Sequence, residues 1–235
     1  MTKIYGEPLR ILDRLFVDHP ALAPLRADIE KAYGLMETTY VAGGKVLTCG
    51  YGGSASDAEH IVGELMKGFL QCRPIPSDFR RRLEKDAEGS PEDRATALAA
   101  AEHIAANLQG ALAAVPLTGG LSLSTAFAND VAPDLVFAQQ LYGYGRAGDT
   151  LVAISTSGNS AGILHVIRVA RAMGISVVGL TGGTGGKMKP LCDVALIAPE
   201  RETYRVQECH LPIYHVLCAM LEARFFPVED GAGNK

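Results

Sequence analysis

An apolar run that ends in small hydroxyl residues is the strongest chemical signal in the chain. Residues 151–154 are apolar, segment 155–160 reads Ser-Thr-Ser-Gly-Asn-Ser, and a helical pattern begins by Ile163. A strand that turns through such residues into a helix directs hydroxyls and free backbone N–H groups at one point, where the helix dipole adds partial positive charge. The segment predicts a site for phosphate or another small anion. An ordinary turn with Ser160 as the helix N-cap remains an equal alternative.

A second segment has the same organisation. Residues 46–54 combine a short apolar run with glycines and a final serine, Ser54, and a helix is predicted from about 55 to 69. Ligands of open α/β sheets bind at the carboxyl ends of the strands. The two turns therefore predict one anion site that is lined from two strand ends.

Two residues on the predicted helix 55–69 are suited to proton transfer. His60 and Glu64 are four residues apart, a spacing that places both side chains on one helical face, with Asp57 near the same face. An imidazole and a carboxylate can move protons or bind a metal ion. A pair of this kind is also common on exposed helix surfaces, so the spacing alone leaves both interpretations open.

The last predicted helix, 202–226, is mostly apolar and is expected to be largely buried. Buried polar side chains need hydrogen-bond partners, so its polar residues are either site residues or satisfied core or interface groups. They are Gln207, Glu208, His210 and His215.

Gln207 and His215 are too far apart to share a ligand easily. Eight residues span about 12 Å along a regular helix, so one straight helix does not place both on one metal ion. Either Pro212 kinks the helix, or two copies of the chain each provide part of the site. We favour the second arrangement.

The elements that must position these residues alternate between strand and helix. This order favours an α/β fold with a doubly wound, mainly parallel sheet flanked by helices, in a single domain over residues 1–235. A helix that begins at 121 is expected to break at residues 129–130. The predicted strands are 45–49, 113–117, 150–154, 175–180 and 193–197.

Two regions lie outside this alternation. Residues 1–42 predict an N-terminal helical arm for packing or oligomerisation, and residues 73–110 predict a charged helical insert. A solvated helical excursion is the favoured interpretation of the insert. The alternative is a lid or rim whose arginines contact an anionic substrate. These arginines are Arg80, Arg81 and Arg82.

The composition limits the function classes. The 235 residues carry a net charge of −4, which argues against sequence-independent binding of nucleic acid. No apolar run approaches the length of a membrane span, and the first residues lack a signal core, so a cytoplasmic location is expected. Five cysteines without a CxxC pair indicate reduced thiols rather than disulfides.

Taken together, the motifs resemble those of the sugar isomerase (SIS) domain proteins, and among them the phosphoheptose isomerases. The similarity extends in order over nearly the whole chain. It rests on segments 50–65, 128–130, 155–160, 180–188 and 203–215. The resemblance implies the SIS fold and the interconversion of sedoheptulose 7-phosphate and glycero-manno-heptose 7-phosphate through an enediol.

The resemblance also implies roles for individual residues. Glu64 would be the general base and His215 the general acid. His60, Glu64, Gln207 and His215 would correspond to a zinc site that some family members have. The family resemblance further implies a homotetramer with active sites shared between subunits. The residues that would bind the phosphosugar are Ser54, Asp130, Ser155, Thr156, Ser157, Ser160 and Gln207.

The chain departs from the family pattern in three places. Tyr51 replaces an asparagine in the first glycine turn, Tyr204 stands where a small residue is usual, and the insert 73–110 is longer than the usual loop. These changes leave the identity of the phosphosugar open. Two other functions remain: a non-catalytic SIS module that binds a partner such as the replication initiator, and a phosphosugar sensor. The presence of His60, Glu64 and His215 favours an enzyme.

Overall fold

One parallel sheet forms the centre of the molecule. In the computed structural model, which describes residues 6–86 and 91–227, five strands lie in the order β2-β1-β3-β4-β5, and each neighbouring pair is parallel. This arrangement confirms the predicted fold class. The strands are β1 (Val46–Cys49), β2 (Ala114–Pro116), β3 (Thr150–Ile154), β4 (Ser176–Gly182) and β5 (Val194–Ala198).

Helices alternate with the strands and cover both faces of the sheet. They are α1 (Gly6–Asp18), α2 (Arg26–Val41), α3 (Gly53–Met66), α4 (Ser77–Lys85), α5 (Pro91–Asn107), α6 (Leu121–Asp130), α7 (Val136–Tyr144), α8 (Ala161–Ala172) and α9 (Thr203–Phe225). Short 3-10 turns occupy Pro20–Leu25, Pro133–Leu135 and Gly186–Leu191. Within the described residues, no helix is long and apolar enough to cross a membrane.

The predicted break is present but lies at residues 131–132, directly after the predicted position 129–130. Helix α6 continues through Asp130, and the backbone of Ala132 then becomes extended, with φ −160° and ψ 114°. Proline disfavours the helical conformation in the residue before it, so Pro133 rather than the Asn-Asp pair ends this helical stretch.

The core consists of two layers of side chains, one on each face of the sheet. Along β3, Val152 and Ile154 pack with α1, α2, α3 and α9, whereas Leu151 and Ala153 pack with α7 and α8. Successive side chains of a strand point to opposite faces, so a strand covered on both sides is apolar throughout. The N-terminal helices α1 and α2 contribute to the first of these layers, in which they pack against α9.

The charged insert projects from this core. No side chain of α4 is buried, and its arginines Arg80 and Arg82 pair with Glu84 and Asp78 of the same helix. At the base of the insert, the Gly110 N–H donates to the Arg73 carbonyl. These contacts favour the solvated interpretation, and a lid role stays a prediction. Residues 87–90 of the insert lie outside the described residues.

The strand order places a crevice at a defined edge of the sheet. From β1 the chain continues to β2 on one side, and β3 lies on the other side, with Cys49 paired with Ala153. The connections after β1 and β3 therefore diverge at the carboxyl ends of these strands, which is where ligands of doubly wound sheets bind. Ser54 and the segment 155–160 both follow these strand ends, as the sequence predicted.

Candidate functional site

The segment 155–160, which we call the anion turn, has a fixed backbone. Gly158 has φ +65°, and a Cβ at this position would lie 2.2 Å from the Gly185 carbonyl oxygen, so only glycine fits. The Asn159 side chain donates to the Ser157 carbonyl at 2.8 Å and accepts from the Lys187 N–H at 3.1 Å. The glycine-rich loop after β4 thus supports the anion turn.

The hydroxyls of the anion turn differ in exposure. Ser155 is buried, as is Ser54 across the crevice, whereas Ser157 is exposed and Thr156 and Ser160 are half-buried. Ser160 is the N-cap residue of α8, but its side chain makes no capping hydrogen bond. Its hydroxyl and the N–H groups of the first turn of α8 are therefore available to an anion, as is usual where a ligand binds at a helix N-terminus.

Tyr51 lies over the first turn of α8. Its ring packs against Phe137 with centroids 4.6 Å apart and the ring planes tilted by 41°, and a Cβ at Gly162 would lie 2.1 Å from the Tyr51 Oη. Burial raises the pKa of Tyr51, so the phenol is neutral at physiological pH. The hydroxyl that replaces the family's asparagine side chain is therefore next to the anion turn.

We expect Gly162→Ala to weaken phosphosugar binding, because the added methyl group collides with the Tyr51 hydroxyl and displaces it. Overpacking of this kind costs roughly 1–3 kcal/mol, and a loss of that size from binding corresponds to an increase in Kd of roughly 5- to 160-fold. Calorimetric titration of a phosphosugar measures the change. The double variant Gly162→Ala/Tyr51→Asn should recover part of the affinity. Gly143→Ala is the matched control, since nothing lies within 4 Å of that position. Unchanged affinity in Gly162→Ala would contradict this account.

A carboxylate and two imidazoles meet where α3 packs against α9. The Nε2 of His60 is 3.1 Å from Glu64 Oε1, the Lys67 ammonium donates to Glu64 Oε2 at 3.0 Å, and the rings of His60 and His215 are 5.0 Å apart. Glu64 is 8% exposed, whereas His60 is open to solvent. One chain therefore brings His215 to the His60–Glu64 pair, and this meeting does not need a second copy.

The His215 ring is in an environment that favours proton transfer. Burial lowers its pKa, the nearby His60 lowers it further, and Glu64 opposes the shift. Its Nε2 is buried and has no hydrogen-bond partner within the described residues. A lowered pKa makes the imidazolium a stronger proton donor, and a free Nε2 can face a substrate or a metal ion.

Gln207 lies at the other end of α3. A Cβ at Gly53 would be 2.4 Å from the Gln207 Nε2, so the amide is beside the helix N-terminus that also carries Ser54. His215 lies two helical turns further along α9, next to His60. The sequence was therefore right that Gln207 and His215 are separated along their helix, and the amide lies nearer to the phosphosugar end of the site.

The donors suit zinc, but the four predicted ligands are not gathered at one point. Two imidazoles and a carboxylate are usual zinc ligands, and the unpartnered His215 Nε2 provides a free donor. In the part of the chain that the structure describes, however, no group of three or more His, Cys, Asp or Glu side chains is arranged to hold a metal ion. Of the predicted set, His60, Glu64 and His215 are close together, and the Gln207 amide lies beside Gly53 at the start of α3.

The structure leaves three candidates outside this cluster. His210 is fully buried, its Nε2 lies 3.2 Å from the Thr181 carbonyl oxygen, and burial lowers its pKa to about 4. It is therefore a neutral core histidine. Glu208 is exposed, and Asp130 is exposed at the end of α6, where it accepts from the Asn129 amide. No contact within the described ranges joins Asp130 to Ser54 or to the anion turn.

Two contacts of the cluster were not predicted from the sequence. The Tyr214 hydroxyl lies between His60 and Asp57, and Lys67 contacts Glu64. The spacing of Lys67, three residues after Glu64 on one helix, was an available signal. The sequence contained no comparable signal for Tyr214, because it does not show which face of a buried helix packs against another element.

A buried ion pair fixes the end of α3. The Arg73 Nε donates to Glu222 Oε1 at 2.7 Å, and the guanidinium also donates to the backbone carbonyls of Glu64 and Leu65. Glu222 accepts in addition from the Phe69 N–H at 2.8 Å. Arg73 is 0% exposed, although the sequence assigned it to the charged insert.

Comparison with known proteins identifies close relatives. A family model described as the SIS domain matches residues 94–182. The phosphoheptose isomerase of Rhodospirillum rubrum is 37% identical over 195 residues, which is 83% of this chain and 84% of that protein. That of Aneurinibacillus thermoaerophilus is 37% identical over 80% of this chain and 76% of its own length.

Two solved structures are also similar. Phosphoheptose isomerase GmhA from Neisseria gonorrhoeae superimposes with a TM-score of 0.66 at 31% identity, over 93% of this chain and 95% of that one. A phosphoheptose isomerase from Francisella tularensis gives a TM-score of 0.66 at 25% identity, over 94% and 99% of the two chains. Both similarities extend over almost the whole chain.

Proposed function

The chain belongs to the phosphoheptose isomerase family, and we propose that it interconverts sedoheptulose 7-phosphate and glycero-manno-heptose 7-phosphate. The observation that carries the proposal is the meeting of Glu64 with the His60 and His215 imidazoles, in a fold that places the anion turn at the neighbouring strand end. An aldose–ketose isomerase needs a base near the first two carbons of the sugar and a binding site for the distant phosphate.

Glu64 and His215 divide the proton transfers. In the ketose, Glu64 removes a proton from C1, and His215 donates a proton to the carbonyl oxygen at C2, which gives an enediol. The Glu64 carboxyl then returns its proton to C2, while the O1 proton goes back to His215 as the C1 aldehyde forms. Catalysis of this kind by one positioned side chain contributes about 10²–10⁴-fold.

The anion turn holds the substrate at its other end. The hydroxyls of this turn, together with Ser54 and the first-turn N–H groups of α8, bind the phosphate. Asp130 and Gln207 are the other substrate-binding residues of the proposal. The hydroxyls of the turn belong to Ser155, Thr156, Ser157 and Ser160. A phosphate held several bonds from the reacting carbons positions them at Glu64, and such positioning lowers the entropic cost of the reaction.

We expect Ser157→Ala to raise the Kd for the phosphosugar by roughly tenfold, because a hydrogen bond to a charged group contributes about 1.5–3 kcal/mol. Ser157 is exposed, and its hydroxyl accepts from the Asn159 N–H only at 3.2 Å, so it is free to donate to a phosphate. Calorimetric titration checks this, with Ser77→Ala on the exposed helix α4 as the control. An unaltered Kd in Ser157→Ala would remove this serine from the phosphate site.

Zinc is part of the proposal as a cofactor held by His60, Glu64, Gln207 and His215. When bound, it would polarise the carbonyl and stabilise the enediolate charge. The donor chemistry and the unpartnered His215 Nε2 support it, whereas the distant Gln207 amide would have to approach the other three. Elemental analysis of purified protein before and after dialysis against a chelator tests it. Full activity in a zinc-free preparation would exclude a catalytic zinc.

We also propose a cytoplasmic homotetramer with shared active sites. Apolar side chains on α6 and α7 support association, since Leu121 is 79% exposed and Tyr142 is 69% exposed. Sedimentation equilibrium measures the subunit number. A monomer with full isomerase activity would contradict the shared site.

The function itself is tested with purified protein and a panel of C5–C7 ketose phosphates, with and without added zinc and chelator. Aldose phosphate formed from sedoheptulose 7-phosphate supports the proposal. Binding without product would indicate a phosphosugar sensor instead. The absence of both binding and product would favour a protein-partner module.

A further inference from the structure

Tyr214 is a buried tyrosine whose hydroxyl joins two functional side chains of α3. The residue is 2% exposed, and its Oη lies 2.9 Å from His60 Nδ1 and 3.3 Å from Asp57 Oδ1. The rings of Tyr214 and His60 meet edge to face with centroids 5.5 Å apart. The opposite nitrogen of the same imidazole, His60 Nε2, faces Glu64 at 3.1 Å.

The direction of these hydrogen bonds follows from the number of hydrogens. A phenol has one hydrogen to donate, and an ionised carboxylate can only accept. If the Tyr214 hydroxyl donates to Asp57, its oxygen can only accept from His60, so the hydrogen is on Nδ1. Within the described residues, Asp57 Oδ2 is buried without a partner, which leaves the Tyr214 hydroxyl as the donor that satisfies this carboxylate.

We propose that Tyr214 is a positioning residue for the isomerase site: together with Asp57 it fixes the ring of His60 and keeps its hydrogen on Nδ1. The Nε2 lone pair then faces Glu64 and accepts the hydrogen of the Glu64 carboxyl once that group has taken the C1 proton. The role rests on the proposed function of Glu64 as the base. It follows the general pattern in which a hydrogen bond to one imidazole nitrogen sets the state and direction of the other.

Because the two ends of the site are apart, loss of the Tyr214 hydroxyl is expected to change the rate of proton transfer and not the binding of substrate. The phosphate is held at the anion turn, and Tyr214 is in contact with neither it nor the Glu64 oxygens in the described structure. Loss of the hydroxyl should therefore reduce the rate of proton transfer and leave substrate binding nearly unchanged. A general loss of packing would instead lower the stability of the protein and alter both the rate of proton transfer and substrate binding.

The test substitutes Tyr214→Phe, which keeps the ring and removes the hydroxyl. Residues that orient a functional histidine typically contribute about 10–100-fold, so we expect kcat to fall by that factor at a nearly constant KM. Tyr40→Phe is the matched control, because the Tyr40 hydroxyl is also buried but has no partner within the described residues. Asp57→Asn, which keeps an acceptor oxygen, should show a smaller loss than Asp57→Ala.

A second measurement reports on His60 without turnover. Nitrogen-15 NMR of histidine-labelled, metal-free protein at alkaline pH should show the His60 hydrogen on Nδ1 in the wild type and on Nε2 in Tyr214→Phe. Wild-type kcat in Tyr214→Phe, or His60 nitrogen signals that do not change, would overturn the proposal. If the wild type forms no aldose, the proposed function fails, while the NMR result still decides whether Tyr214 orients His60.

Discussion

Replacement of Glu64 by glutamine is expected to reduce kcat for the heptose phosphate by about 10²–10⁴-fold, with the phosphosugar Kd close to that of the wild type. Glutamine keeps the shape of the side chain but cannot accept the C1 proton. The anion turn, which is the proposed phosphate site, belongs to a different strand end and is unaffected. Steady-state kinetics and calorimetry measure the two quantities separately.

Glu208→Gln is the matched control for this experiment. Glu208 lies next to Gln207 on α9 but is exposed, so its substitution should leave kcat unchanged. The Arg73 guanidinium donates to the backbone carbonyl of Glu64 rather than to its carboxylate, so Glu64→Gln keeps this support. Wild-type turnover in Glu64→Gln would show that another group is the base.

Arg73→Leu is expected to lower the free energy of unfolding by about 3–5 kcal/mol. The substitution leaves Glu222 charged, 1% exposed and without its guanidinium partner. It also removes the donors to the carbonyls of Glu64 and Leu65, which lie at the C-terminal end of α3. Denaturant unfolding followed by circular dichroism measures the loss.

Two further variants distinguish the contribution of the buried Arg73–Glu222 pair to stability from the effect of removing any arginine charge. Arg80→Ala breaks an exposed ion pair on α4 and should cost about 0–1 kcal/mol. The double variant Arg73→Leu/Glu222→Leu should be more stable than Arg73→Leu, because it leaves no unpaired buried charge. A loss below 1 kcal/mol in Arg73→Leu would show that the pair does not stabilise the junction of α3 and α9.

The same ion pair connects stability with the site. Glu222 on α9 accepts from the N–H groups of Phe69 and Leu70, and the Phe69 ring lies 5.3 Å from the His215 ring. The segment after α3 is thereby attached to the helix that carries the proposed acid. The ion pair therefore holds together the two helices that carry Glu64 and His215, the proposed base and acid.

Much of the architecture could be predicted from the sequence because its signals are local. The apolar run before residue 155, the glycine at 158 and the following helical period define a strand, a turn and a helix within about 20 residues. Alternation of such units favours a parallel sheet, and the carboxyl ends of its strands then define where an anion binds. The positions of Ser54 and the anion turn, each after one of two neighbouring strands, followed from this logic.

Other features depended on how distant elements pack. His60 and Tyr214 are separated by 154 residues, and Arg73 and Glu222 by 149. Hydrophobic periodicity shows that α3 and α9 each have a buried face, but it does not specify their relative register. For that reason the sequence assigned Arg73 to a charged insert and left His210 as a site candidate.

The sequence by itself therefore determined the order of the strands and helices, the anion turn, and the His60–Glu64 pair, because each depends on neighbours a few residues away. Only the tertiary structure decided that His215 joins this pair within one chain, that Gln207 lies at the opposite end of α3, and that Tyr51 covers Gly162. These outcomes depend on the register of packed helices and on side-chain volume, and both are set by contacts across the whole fold.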